Sequence, residues 1–328
     1  MIVALGAGRM GRGIALAFAW AGHPVALLDF KARPAADQAR LAAEARAEID
    51  DSLAVLTGLG ALDAAAAAAV SARIRLHGEA EAAAVLGQAS LVFEGVPETL
   101  EAKRDALARL GALLPPGATV ASTTSTILVT DLAPLMAGPE RFLNAHWLNP
   151  AYVIPLVELS VHPGTDPAVT ARLVDLLRAI GKVPVVCGPA PGYIVPRLQA
   201  LLMNEAARMV EEGVATAEQI DLATRHGLGL RFAALGVLEF VDFGGNDILY
   251  HASRYLSEQV SASRYAVPAI VERFMHEGRN GLRDGAGFLD YTGVDATARR
   301  RDALARTLAM LRHFGLQRPA VGTQAPTA

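Results

Sequence analysis

Two groups of residues in this chain have types and spacings suited to chemistry. The first is Gly6-Ala7-Gly8-Arg9-Met10-Gly11, a G-x-G-x-x-G run between an apolar segment (Ile2-Val3-Ala4-Leu5) and a helical pattern beginning Ile14-Ala15-Leu16. Strand, glycine loop and helix in that order form a dinucleotide-binding signature. Gly6 permits the tight turn, Gly8 lets backbone approach a pyrophosphate, and Gly11 lets helix and strand pack closely. The pyrophosphate would rest on the helix N-terminus, where free N–H groups and the dipole attract anions. Asp29 ends the second apolar run, near the ~20-residue spacing at which a carboxylate accepts from the ribose hydroxyls. A carboxylate there repels a 2′-phosphate and favours NAD, although Lys31 and Arg33 follow closely. The second group is His146 with Glu158. Neutral imidazole can take a hydroxyl proton near pH 7. A carboxylate on its second ring nitrogen would fix the tautomer and stabilise the imidazolium. Beside a nicotinamide, that pair would serve hydride transfer from a secondary alcohol. The other seven histidines show no metal-ligand spacing, so no metal site is expected.

The elements that must position these residues follow from the pattern. Strands are predicted at 2–5, 25–28, 73–76, 90–93, 118–121, 142–146, 153–159 and 183–186. Helices are predicted at 12–21, 35–57, 61–72, 99–113 and 166–180. Alternation of this kind gives βαβ units and a mostly parallel, helix-covered sheet, which binds ligands beyond the carboxyl ends of its strands. His146 ends one strand and Glu158 lies on the next. The breaker cluster Cys187-Gly188-Pro189-Ala190-Pro191-Gly192 then marks a linker. Beyond it only helices are expected, near 193–213, 216–226, 231–258, 266–278 and 296–314, with 317–328 unstructured. The fold class is therefore α/β, a Rossmann-type sheet followed by an all-α C-terminal domain. The domains are expected at 1–187 and 188–295, with 296–328 as a terminal helix and tail.

Composition narrows the function. The 328 residues are 52% hydrophobic and 19% charged, as in a globular protein. A net charge of −3 argues against a sequence-independent grip on nucleic acid. No run is long and apolar enough to span a membrane. The start lacks a basic region before its apolar residues, so no signal peptide is read there. With Cys187 as the single cysteine, no internal disulfide can form, and the cytoplasm is the expected compartment.

Six separated motifs agree in order with one family. They are the glycine loop, Glu94-Gly95-Val96-Pro97-Glu98 with Lys103, Ser122-Thr123-Thr124-Ser125-Thr126, His146-Trp147-Leu148-Asn149-Pro150 with Pro155-Leu156-Val157-Glu158, Pro191-Gly192-Tyr193-Ile194-Val195, and Gly285-Ala286-Gly287-Phe288. Over residues 1–291 the chain resembles the 3-hydroxyacyl-CoA dehydrogenase family. The resemblance implies that His146 is the base and Glu158 its partner. It implies that Ser125 holds the substrate oxygen and that Asn149 lies near the nicotinamide. Glu98 and Lys103 become further cofactor-side residues. It also implies a homodimer formed through the helical domain, with substrate in a cleft closed by hinge motion at 187–192.

Three departures bear on the substrate. Pro196 stands where the family places a substrate-contacting asparagine, and proline has no side-chain donor or acceptor. It also fits only the first turn of a helix, so a helix is predicted to start near it. Residues 34–72 contain no lysine and only Arg40 and Arg46, against Glu44, Glu48, Asp50 and Asp51. That is a poor site for the phosphates of coenzyme A. Finally, Gly227-Leu228-Gly229-Leu230-Arg231 resembles the branch of the family containing L-gulonate 3-dehydrogenase (lambda-crystallin) and carnitine dehydrogenase, which act on small free acids. Arg231 would then anchor the substrate carboxylate with its planar fork. The expected activity is NAD-dependent oxidation of an L-3-hydroxy acid. A short L-3-hydroxyacyl-CoA ester is the alternative substrate, and a catalytically silent NAD-binding protein is the alternative of another class.

Overall fold

The computed structural model describes residues 1–316, so the expected loose tail at 317–328 lies outside the described residues. Up to Leu202 the chain forms one compact unit and from Met203 a second. The first contains eight strands: β1 (Ile2–Leu5), β2 (Val25–Leu28), β3 (Ile74–His77), β4 (Leu91–Glu94), β5 (Thr119–Ser122), β6 (Phe142–Trp147), β7 (Leu156–Ser160) and β8 (Val183–Cys187). They form a single sheet in the order β3-β2-β1-β4-β5-β6-β7-β8. Every neighbouring pair is parallel except β6 and β7, which run antiparallel.

Both faces of this sheet are covered, which is why its central strands read as unbroken apolar runs rather than alternating ones. Ile2 and Ala4 point to the face packed by α1 (Arg9–Trp20), α2 (Ala35–Gly58), α3 (Ala64–Ala72) and α7 (Pro167–Ala179). Val3 and Leu5 point to the face packed by α4 (Ala82–Leu86), α5 (Leu100–Leu113) and α6 (Val129–Leu132). The strand order turns back between β1 and β4, and ligands of open α/β sheets bind at such a switch point.

Local chemistry shifts several element boundaries, two of them beside the ligand-binding ends of the strands. The helix α1 starts at Arg9 rather than 12, directly after the glycine loop. The strand predicted from 153 starts at Leu156, because Val153 and Ile154 give their N–H groups to the Pro150 carbonyl in a turn. Lys182, buried behind that turn, donates to the Ala151 and Ile154 carbonyls at 2.7 and 2.8 Å.

A helix α8 (Val195–Glu211) carries the division between the units. The second unit holds α9 (Ala217–Ala223), α10 (Leu230–Ala234), α11 (Val237–Gly244), α12 (Asn246–Gln259), α13 (Ala262–Tyr265), α14 (Ala269–Glu277) and α15 (Ala296–His313). The single helix expected at 231–258 is thus three. Extended backbone at Leu235 and Gly236 ends the first, and Gly245 at φ 116° turns the chain between the next two. The helix expected at 296–314 is α15, and its Ala303 packs with Ala234 and Leu235. Among the described residues no helix is long and apolar enough to cross a membrane.

Phe93 on β4 is 1% exposed and lies 5.4 Å from the Phe18 ring and 5.5 Å, edge-on, from Trp147. Those contacts tie α1, β4 and β6 together beneath the switch point. Phe93→Ala is expected to lower the unfolding free energy by about 3–5 kcal/mol, read from urea denaturation.

Candidate active site

The glycine loop leaves β1 at the switch point. Gly6 has φ 96°, and a Cβ there would stand 2.6 Å from the Gly95 carbonyl oxygen. On Gly11 a Cβ would stand 1.9 Å from the Gly6 oxygen, so only glycine lets α1 approach β1 this closely. Gly8 is different: a Cβ there would meet no protein atom within 4 Å. The space is left on the ligand side, and Gly8 gives the first turn of α1 no side-chain cap. Arg9 is exposed there, while Met10 turns back to pack on the core. A cavity of about 950 Å³ opens at this loop, lined by Gly6, Gly8, Asp29, Lys31, Arg33 and Val96 among others. Asp29 is buried and accepts from Arg33 Nε at 2.6 Å. Free N–H groups, a glycine cradle with room beside it and a carboxylate across the cavity suit a dinucleotide with a diol ribose. Asn149 lines a smaller adjoining cavity with Arg9, and the Arg12–Glu48 ion pair, 2.7 Å, borders both.

Two carboxylates organise the strand ends that follow. Glu94, the last residue of β4, accepts from Val96 N at 2.7 Å, Ser122 Oγ at 2.6 Å and Lys103 Nζ at 2.9 and 3.0 Å. Glu94 and Lys103 are both fully buried. Lys103 was expected beside the cofactor. The structure shows its ammonium paired with Glu94, where it ties α5 to the ends of β4 and β5. Glu98 accepts from the N–H groups of Ser125 and Thr126 at 2.9 and 3.0 Å and from the hydroxyls of Thr124 and Thr126. Partial burial acts to raise its pKa. The Thr124 and Thr126 hydrogen bonds and the Lys103 charge outweigh this and hold it below the ordinary glutamate value. Glu98 therefore shapes the loop that carries Ser125. The Ser125 side chain is exposed, and its hydroxyl makes no hydrogen bond among the described residues.

His146 and Glu158 meet across the antiparallel pair β6–β7, directly opposite in register. The ring Nδ1 lies 2.9 Å from Glu158 Oε2. A carboxylate only accepts, so Nδ1 carries the proton and the Nε2 lone pair is left free. Glu158 Oε1 accepts from the N–H groups of Ile194 and Val195, both at 2.9 Å. The carboxylate that orients the imidazole thus also caps the start of α8. Pro196 is the second residue of that helix, where a missing N–H costs nothing.

Sequence reasoning gave no role to Glu94, Thr124 or Tyr193. The Tyr193 ring stacks on His146 with centroids 4.8 Å apart, and its hydroxyl donates to the Thr124 carbonyl at 2.8 Å. The Pro191-Gly192 turn before it was the available signal. Arg231 lies in the second unit on α10, exposed and paired with no carboxylate among the described residues, its guanidinium 5.5 Å from the Phe240 ring.

Comparison with known proteins decides the family. The model for the 3-hydroxyacyl-CoA dehydrogenase NAD binding domain matches residues 1–190, and that for the C-terminal domain matches 192–291. The chain belongs to the 3-hydroxyacyl-CoA dehydrogenase family. Its first unit is accordingly an NAD-binding domain, and the family's enzymes are oxidoreductases acting on CH–OH groups. The chain is 31% identical, over 95% of its length and 97% of the relative's, to the 5-formyl-3-hydroxy-2-methylpyridine 4-carboxylate 5-dehydrogenase of Mesorhizobium japonicum. It is 35% identical, over 82% of both chains, to the L-carnitine dehydrogenase of Streptomyces coelicolor. Among solved structures, the 3-hydroxyacyl-CoA dehydrogenase of Archaeoglobus fulgidus superposes with a TM-score of 0.76 at 31% identity, covering 96% of this chain and 99% of that one.

Two substitutions test this arrangement. Asp29→Ala removes a charged acceptor from the cofactor cavity and is expected to weaken NADH binding about 10- to 100-fold, measured by fluorescence titration. Lys103→Met strips a buried carboxylate of its partner. The unfolding free energy should fall by about 3–5 kcal/mol in urea denaturation.

Proposed function

We propose that this chain is an NAD-dependent dehydrogenase that oxidises the hydroxyl of a small, free L-3-hydroxy acid. The His146–Glu158 pair supports the reaction type. When bound, NAD supplies the hydride acceptor. Gly6, Gly8, Gly11 and Asp29 would hold it, with Asn149 on the nicotinamide side. His146 Nε2 takes the hydroxyl proton as the substrate carbon is oxidised, and Glu158 stabilises the imidazolium that results. Ser125, with its hydroxyl uncommitted, holds the substrate oxygen through that change. The burial of His146 and Glu158 keeps water from competing for the proton.

The choice of free acid over thioester is carried by the cations of α2. Arg40 is paired with Asp37 and Glu44 at 3.3 and 3.0 Å. Arg46 points inward and donates to the Ser71 and Ile74 carbonyls at 2.9 and 2.5 Å. Neither arginine of residues 34–72 is left for a coenzyme A phosphate. We assign the substrate carboxylate to Arg231, whose guanidinium has no such commitment. The L-carnitine and pyridine-carboxylate dehydrogenases above agree with an acid substrate. The same reading makes the protein a cytoplasmic homodimer. It is supported by α8, which buries no residue and exposes Leu198, Leu201, Leu202 and Met203.

Initial rates on a panel of free 3-hydroxy and 3-keto acids, set against acetoacetyl-CoA, test the proposal. The best free acid is expected to show the higher kcat/KM; a higher value for the thioester would overturn the acid assignment. His146→Gln is expected to lower kcat by about 10²- to 10⁴-fold while NADH binding stays intact. Arg231→Leu should raise KM for the acid about 10- to 100-fold. A wild type that binds NADH yet turns over no acid or ester would be a silent cofactor-binding protein instead. Light scattering should give twice the monomer mass.

A further inference from the structure

Tyr193 is the one non-glycine residue with positive φ among the described residues, at 45°. That region is costly for a bulky side chain and persists only where the surroundings impose it. Here they do so from three sides. The N–H groups of the next two residues are held by Glu158 Oε1, each at 2.9 Å. The hydroxyl is held by the Thr124 carbonyl at 2.8 Å. The ring lies flat against His146, with planes 16° apart and centroids at 4.8 Å. The residue is 6% exposed, so the stack is desolvated.

The two anchors fix the ring both along and across the imidazole plane. An aromatic face carries the negative lobes of the ring quadrupole and attracts a cation placed over it, most strongly where water is excluded. We propose that Tyr193 is the positioning residue for the base, its ring face holding the His146 plane and favouring the imidazolium formed on proton uptake. The inference rests on the reading of His146 as that base. It explains why a strained backbone is kept at this position: a relaxed conformation would carry the ring off the imidazole. Among the described residues, Glu158 from β7 contacts the His146 ring by hydrogen bond and Tyr193 by stacking. Glu98 and Cys187 are further titratable groups near Tyr193. Burial pushes the Tyr193 hydroxyl up, so it remains a neutral donor, and burial with the nearby Glu158 charge pushes the Cys187 thiol up as well. Glu158 and the Tyr193 ring are then the groups that act on the imidazolium.

The test is an NMR titration of the His146 imidazole in the full chain, using isotope-labelled histidine, for wild type and three variants at position 193. Tyr193→Asn removes the ring with a residue that tolerates positive φ. Pentafluorophenylalanine keeps the shape of the ring but reverses its quadrupole. Tyr193→Phe keeps both ring and quadrupole. The first two are expected to lower the His146 pKa by about one unit, and Tyr193→Phe to keep the wild-type titration. On a substrate that is turned over, kcat for the first two should fall about tenfold with the NADH dissociation constant unchanged. An unaltered titration in the pentafluorophenylalanine protein overturns the proposal. So does a Tyr193→Phe shift as large as that of Tyr193→Asn, which would place the effect in the hydroxyl. The titration needs no turnover. If no acid or ester reacts, the dehydrogenase reading fails while this measurement still gives an answer.

Discussion

A carboxylate taken out of water needs donors in place of its lost hydration, and the demand that organises this site is that of Glu158. It is 1% exposed. Desolvating such an ion costs several kcal/mol unless donors replace the lost water. The donors here are the His146 Nδ1–H and the two backbone N–H groups that open α8. The positive end of that helix lies at the same place. Three demands are met together: the imidazole tautomer is set, the first turn of α8 is capped, and the chain between β8 and α8 is held to the sheet. The Gly192-Tyr193 turn follows from this. Its two residues have φ of 76° and 45°, the path that brings two consecutive N–H groups onto one oxygen.

The carboxyl ends of β4 and β5 obey the same rule with a different donor set. Glu94 has no helix terminus to cap, so a buried lysine answers it. Replacing both ions by well-packed apolar residues can be neutral or stabilising, whereas removing one partner is not. The ion pair is therefore better understood as a device for placement. Through Ser122 it ties the end of β5 to the end of β4, and α5 to both. Glu98 then sits at the mouth of the β5 loop and gathers Thr124, Ser125 and Thr126. Thr124 passes the constraint on, since its carbonyl receives the Tyr193 hydroxyl. The two carboxylate systems meet at that tyrosine.

This hierarchy explains what the sequence could and could not reveal. Strands with helices between them were legible because both faces of the sheet are apolar and the runs are bounded by breakers. The His146–Glu158 pair was legible because antiparallel neighbours twelve residues apart are a short-range matter. The use of Glu158 by Ile194 and Val195 was not, since backbone N–H groups leave no trace in residue type. Lys103 shows another limit of residue type. Its position in a motif says nothing about which carboxylate its flexible stem will reach, and Glu94 and Glu98 lie at 2.9 and 3.8 Å. The helix expected at 231–258 failed for a local reason. Its periodicity runs on through Gly236 and Gly245, and only the backbone angles there show that three helices share the stretch.

The cofactor unit also shows how charge can select a ligand without a dedicated site. Around the main cavity Arg12 is committed to Glu48, Arg33 to Asp29 and Arg109 to Glu79, at 2.7, 2.6 and 2.9 Å. A phosphate approaching these arginines must displace a carboxylate that already satisfies them, and the displaced carboxylate then repels it. The N–H groups at the start of α1 carry no such competitor. A diphosphate lying on that helix terminus would meet N–H groups with no carboxylate competitor, while Lys31 in the cavity wall and the exposed Arg9 make no ion pair among the described residues.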